Sequence, residues 1–153
     1  MKTDCLSCSK FEKDEAVGFE NSIAKALDVI LSEGKFSLER IIYDEQNFGN
    51  IYIVLSSKDM INIRFVRDRG TFKCDMGHAG EWYSMEDIFE VIGITFSNDQ
   101  NELLDFVVGT VFLIESHLAL ILNMFSPSNV KKTILKLEEI GITRANRLFY
   151  FRK

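Results

Sequence analysis

Three cysteines and two histidines carry the widest chemical repertoire in this sequence. Cys5 and Cys8 form a Cys-x-x-Cys pair, Cys74 and His78 are separated by three residues, and His117 stands in a long apolar run. A redox dithiol sits where a strand runs into a helix, and no such strand precedes Cys5 in this sequence. A zinc site built from Cys5, Cys8, Cys74 and His78 would join two distant half-signatures and consume every cysteine. Neither metal nor cofactor is expected. His78 lies in the small-residue stretch Gly77-His78-Ala79-Gly80, yet no Ser or Cys in an elbow motif accompanies it as nucleophile. That stretch is neither G-x-G-x-x-G nor a P-loop. The adjacent acids Glu86 and Asp87 fall in the first turn of a predicted helix, where carboxylates favour the helix dipole. No catalytic set emerges, so the expected function is non-enzymatic. The alternative is a small-molecule-binding or enzymatic α+β domain with a pocket between sheet and central helix.

Charge is segregated along the chain. Between Lys73 and Lys131 there is no Lys or Arg, while nine acids occur: Asp75, Glu81, Glu86, Asp87, Glu90, Asp99, Glu102, Asp105 and Glu115. The end of the chain reverses sign, with Lys131, Lys132, Lys136, Arg144, Arg147, Arg152 and Lys153 against Glu138 and Glu139. An extended acidic segment attracts a basic partner and repels nucleic acid. No nucleic-acid partner is expected, because the basic-aromatic tail is too short to outweigh the acidic bulk. The N-terminus lacks the apolar core of a signal peptide, and an odd number of cysteines suits reduced thiols, so a cytoplasmic location is expected.

These residues need elements to position them. At 153 residues, with nearly half of them apolar and a single Pro, the chain reads as one domain, residues 1–153, with 1–9 expected to be flexible. Apolar spacing from Phe19 predicts an amphipathic helix ending at Gly34. The period then changes. FSLERIIYDE, NIYIVLSS, MINIRFVRD and TFKCDMG alternate and are separated by turn residues, which predicts an antiparallel meander of about four strands. Gly70 supplies the positive φ of a tight hairpin. Ser84 and Gly93 bracket a short helix. Across residues 99–125 the least apolar positions (Glu102, Asp105, Gly109, Ser116 and Asn123) fall in a stripe about 60° wide, bordered by Phe112 and Ala119. This predicts one long, mostly buried central helix. Asp105, Glu115 and His117 argue against a membrane span, each acid costing about 2.5–3.5 kcal/mol near mid-bilayer. After Pro127 a second amphipathic helix is expected to end near Gly141, with the tail continuing as helix or adding a strand. The fold class is α+β: the meander packed against the long central helix, with an N-terminal helix and C-terminal helices.

The segment GEWYSMEDI places the only Trp beside Tyr83 in a loop between hairpin and helix. Two readings of Trp82 stay open here, a binding anchor at a charged rim and a cap over the core. Residues 66–93, VRDRGTFKCDMGHAGEWYSMEDIFEVIG, resemble a segment of small α+β immunity proteins from bacterial polymorphic toxin and contact-dependent inhibition systems. The matching features are the Asp68-Arg69-Gly70 turn, the strand end Asp75-x-Gly77, and Glu81-Trp82-Tyr83 followed by a helix with Ile88 and Ile92. The resemblance covers about a fifth of the chain, and the cysteine pair lies outside it. It implies a cytoplasmic protein that binds and blocks a cognate toxin, and the acidic segment suits a basic nuclease as that partner. The partner-binding candidates are Asp68, Arg69, Asp75, Glu81, Trp82, Tyr83, Glu86 and Asp87.

The scattered cysteine-histidine set sets the first expectation. Purified protein should hold less than about 0.2 equivalents of zinc, and chelation should leave its melting temperature unchanged. Stoichiometric zinc lost together with the fold would contradict this.

Overall fold

A computed structural model describes residues 35–44, 50–57, 61–97 and 102–150, with Gln46 and the helical positions Asn21, Ala24, Lys25, Leu27, Asp28 and Leu31. The cysteine pair and the stretch expected to be flexible lie outside these residues. Five strands form a single antiparallel meander in chain order: β1 (Phe36–Asp44), β2 (Asn50–Ser57), β3 (Asn62–Asp68), β4 (Thr71–His78) and β5 (Glu81–Ser84). Four helices follow: α1 (Met85–Val91), α2 (Leu103–Ser116), α3 (Leu118–Met124) and α4 (Val130–Tyr150). The architecture is α+β, as the segregated order of elements predicts.

The fifth strand is a correction to the four expected. Its four residues, EWYS, are too few to show alternation, and the turn before it uses Ala79 rather than Asn or Asp. Ala79 and Gly80 both have positive φ (50° and 85°), as do Arg69 and Gly70 (50° and 80°) in the preceding hairpin. Both connections are therefore two-residue turns of the type whose twist matches antiparallel strands.

Alternation then divides each strand between two faces. Phe36, Ile51, Ile53, Leu55, Ile63, Phe65, Phe72, Cys74 and Met76 are buried on the inner face, together with Leu27 and Leu31 of the N-terminal helical positions. Helix α2 covers this face with Leu103, Phe106, Val107, Val111 and Ile114. Phe106 meets Phe65 edge-on at 6.0 Å and stacks on Phe72 at 5.4 Å.

The central helix is not continuous. It breaks at His117, and α2 and α3 diverge by 71°. Side chains compete for the carbonyls at the break: Ser116 Oγ donates to Phe112 O at 2.7 Å, and His117 Nδ1 lies 2.9 Å from Leu113 O. Hydroxyls bonding back by four residues bend helices. The polar stripe survives the bend, since Glu102, Asp105, Gly109, Phe112, Ser116, Ala119 and Asn123 are all exposed. Among the described residues no single helix is long and apolar enough to cross a membrane.

Helix α1 ends where expected. Gly93 (φ 75°) donates to Glu90 O and Ile94 donates to Phe89 O, a Schellman closure. Ser84 stands at its N-cap, although its hydroxyl makes no capping hydrogen bond. Helix α4 runs through Gly141 to Tyr150 instead of stopping there. An exposed glycine inside a helix costs only about 1 kcal/mol, and the contacts of Leu137 and Arg144 on either side hold the helix together.

Leu118 is buried at the bend. Leu118→Asp places an unpaired charge in the core at a cost of several kcal/mol, so the variant should be unfolded or insoluble. A soluble variant with a near-wild-type thermal melt would contradict the packing of α3.

Candidate functional site

The outer face of the sheet carries the residues left over by the inward alternation, with Val54 and Val66 buried on it and Trp82 exposed. The Arg69-Gly70 turn sets a register that places Arg64 opposite Asp75 and Asn62 opposite Gly77. The Ala79-Gly80 turn places Trp82 opposite Gly77. These pairings assemble a cluster. Arg64 Nη2 and Nε donate to Asp75 Oδ2 at 2.6 and 3.2 Å, and the Arg64 guanidinium carbon sits 4.5 Å from the Trp82 ring centroid. A Cβ built on Gly77 would come 3.1 Å from the indole, tighter than ordinary contact, so the ring lies close across this strand position. Trp82 remains 40% exposed. It does not cap the core, and cation–π contact and strand backing hold it fixed in a solvent-facing position.

Tyr83 points the other way, its ring 5.5 Å from that of Phe125 beneath the sheet. Burial pushes its hydroxyl pKa up, and the charges of Glu81 and Glu138 add to the rise. His78 shares this inner surface, 5.0 Å from Phe125. Cys74 is buried in the core, and burial followed by the Asp75 charge raises its thiol well above the ordinary value, so it stays protonated rather than nucleophilic. Four positions along a strand separate Cys74 from His78 by about 13 Å, too far to share one zinc ion. Among the described residues no group of three or more His, Cys, Asp or Glu side chains could hold a metal ion.

The remaining candidates occupy two other places. Asp68 and Arg69 lie at the β3–β4 turn, 3.9 Å apart, with the Arg69 amide donating to Asn50 Oδ1 at 3.3 Å. Glu81 is exposed at the opposite end of β4, an eight-residue strand about 25 Å long. Glu86 and Asp87 face α4, where Arg144 gathers three carboxylates. Its guanidinium reaches Glu86 at 3.4 Å and Glu90 at 3.0 Å, and it ion-pairs with the largely buried Asp87. The eight candidates therefore do not converge. Asp75 and Trp82 share the outer face, Glu81 pairs with His78 at the strand end on the side that Tyr83 occupies, Asp68 and Arg69 form the far tip, and Glu86 and Asp87 are engaged within the fold.

Two residues central to this arrangement escape notice in the sequence. Arg64 looks like an ordinary outward position of an alternating strand, although the hairpin register alone puts it opposite Asp75. Arg144 has no local signal, because it meets Glu90 across 54 residues. A cleft of about 260 Å³ runs along the half of β4 that β5 does not pair, with Asp75 and Glu86 among its walls. The space between sheet and α2, where the small-molecule alternative puts a pocket, holds Phe65, Phe72 and Phe106. No family model matches the chain, and no curated protein or solved structure matches it.

Asp87 supplies a pH test. Burial raises its carboxyl above the ordinary value, Arg144 opposes the rise, and Glu86 and Glu90 add to it. As pH falls, such a group takes up a proton in the folded state before it does so in the unfolded chain. Its contribution to stability is thus present at acid pH and lost as pH rises through the raised pKa. Arg144→Met removes the only opposing charge. It should cost about 1–2 kcal/mol at pH 7, and markedly less near pH 4 as Asp87 takes up its proton, measured by denaturant midpoints at both pH values. An equal penalty at both would mean that Arg144 acts through packing alone.

Proposed function

We propose that this chain is an immunity-type binding protein that neutralises a cognate toxin domain by protein–protein contact in the cytoplasm, with no chemistry of its own. The observation that carries the reading is Trp82, the sole tryptophan, exposed on the outer sheet face against Arg64 and Gly77. A rigid, half-exposed indole loses little conformational freedom on binding, and Trp is the residue type most enriched among interface anchors. The acids beside it suit a basic partner, such as a nuclease domain, which they would steer during approach. The partner-binding surface is accordingly Trp82, Arg64 and Asp75, with Glu81 at the neighbouring strand end and the Asp68-Arg69 turn at its rim.

The test is binding kinetics against the product of the reading frame directly upstream. Asp75 is tied to Arg64, so reversing its charge would disturb the surface as well as the field. Glu81 is exposed and avoids that difficulty. Glu81→Lys should slow association at low salt, and the difference should shrink near 0.5 M salt, where the Debye length is about 4 Å. Trp82→Ala should instead raise the dissociation rate by about thirtyfold, with little salt dependence. A folded Trp82→Ala protein that dissociates at the wild-type rate would sink Trp82 as the anchor.

A further inference from the structure

Two parts of α4 are held to the fold in different ways. The first part is packed: Thr133 and Leu137 are buried, Ile140 is half-buried, and Thr133 Oγ1 donates to Met124 O at 2.7 Å. Spaced by fours and threes, these positions form one seam, whose next member is Arg144. There the packing stops. Within residues 142–150 every position except Arg144 is exposed. Among the described residues, the hydrogen bond and ion pairs that this segment makes outside α4 are all those of Arg144 with Glu86, Asp87 and Glu90 of α1. A cleft of about 170 Å³ lies beside that contact, between Glu90 of α1 and Ile140, Thr143 and Arg147 of α4, so the two helices do not close on each other there.

Gly141 stands between the two parts. A Cβ built on it would meet nothing within 4 Å, and its φ is not in the left-handed region, so neither close approach nor backbone conformation calls for glycine. In a helix interior glycine is among the least favourable residues, because it leaves the backbone the most freedom to lose. Gly109 of α2 is equally open, but Val107 and Thr110 on either side of it are buried, so that glycine separates nothing.

We propose that residues 142–150 form a strap, hinged at Gly141 and latched onto α1 by Arg144, that opens and closes while the rest of the domain stays folded. The latch is electrostatic, and Glu86 and Glu90 are exposed to screening ions, so ionic strength sets the balance between the two states. Closed, this corner is a set of ion pairs; open, it presents Glu86, Asp87 and Glu90 without Arg144. The strap involves neither Trp82 nor its sheet face, and it stands or falls independently of the function proposed above.

Hydrogen exchange of the intact chain, followed by mass spectrometry, tests this by comparing peptides over residues 142–150 with peptides over 131–140. In the wild type at low salt the strap should be protected at least about tenfold over an unfolded chain, yet less than 131–140. In Arg144→Gln the strap should exchange within about threefold of the unfolded rate, while 131–140 keeps at least about hundredfold protection. Raising salt to about 1 M, where the Debye length is about 3 Å, should lower strap protection at least about threefold in the wild type and leave it unchanged in Arg144→Gln. Gly141→Ala should raise strap protection about fivefold, as expected of that exchange in a helix interior. A wild-type strap that is unprotected, or as protected as 131–140, would overturn the proposal. So would an Arg144→Gln strap that keeps its protection or loses it together with 131–140, a salt effect equal in both proteins, or a Gly141→Ala strap no better protected than the wild type.

Discussion

Phe106 joins the two layers of this protein, and the rest of the structure follows from the choice that it makes. It stacks on Phe72 and meets Phe65 edge-on, so one face of the sheet is committed to α2 and filled with aromatic side chains. The alternation of a β-strand leaves no independent freedom for the other face. A shift of register by one residue would exchange the two sets entirely. The same register that sends Phe65, Cys74 and Met76 inward therefore sends Arg64, Asp75 and Trp82 outward. The proposed binding surface is a consequence of core packing, pinned by two tight turns, and needs no separate scaffold.

The acid-only segment becomes more differentiated once folded. Glu86, Asp87 and Glu90 surround Arg144 and tie α1 to α4, yet three carboxylates against one guanidinium leave this corner acidic, with Glu86 and Glu90 still exposed. Asp75 is likewise occupied with Arg64. Glu81, Glu102 and Asp105 are exposed at the surface, and they mark two different places on it. Charge that looks uniform along the chain is thus divided between internal attachment and outward field.

Local signals made much of the architecture legible. Alternation located β1 to β4 within a residue or two, Gly93 marked the end of α1, and the stripe from Glu102 to Asn123 marked the exposed side of α2 and α3. What could not be read depended on competition or distance. At the break at His117, side chains of Ser116 and His117 also bond to helix carbonyls, in a stretch whose apolar period is unbroken. Strand β5 was hidden by its length and by an alanine in a turn position that usually favours Asn, Asp or Gly. Gly141 suggested a helix end that tertiary contacts overrode. For the candidate surface, residue types pointed to Trp82 and Asp75 but separated neither Trp82 from Tyr83 nor working acids from structural ones, because that distinction rests on which face each side chain occupies.

The most direct test of binding through the outer sheet face exploits the single tryptophan. With 5-fluorotryptophan incorporated, the chain should give one fluorine resonance, from Trp82, whose position changes between H₂O and D₂O because the indole is partly exposed. Titration with the product of the upstream reading frame should shift this resonance and abolish its solvent-isotope difference in the saturated complex, since an anchor at the centre of an interface is excluded from water. A saturated complex in which the resonance keeps its position and its isotope difference would show that the partner binds elsewhere, and would contradict the assignment of Trp82 and its sheet face as the binding surface.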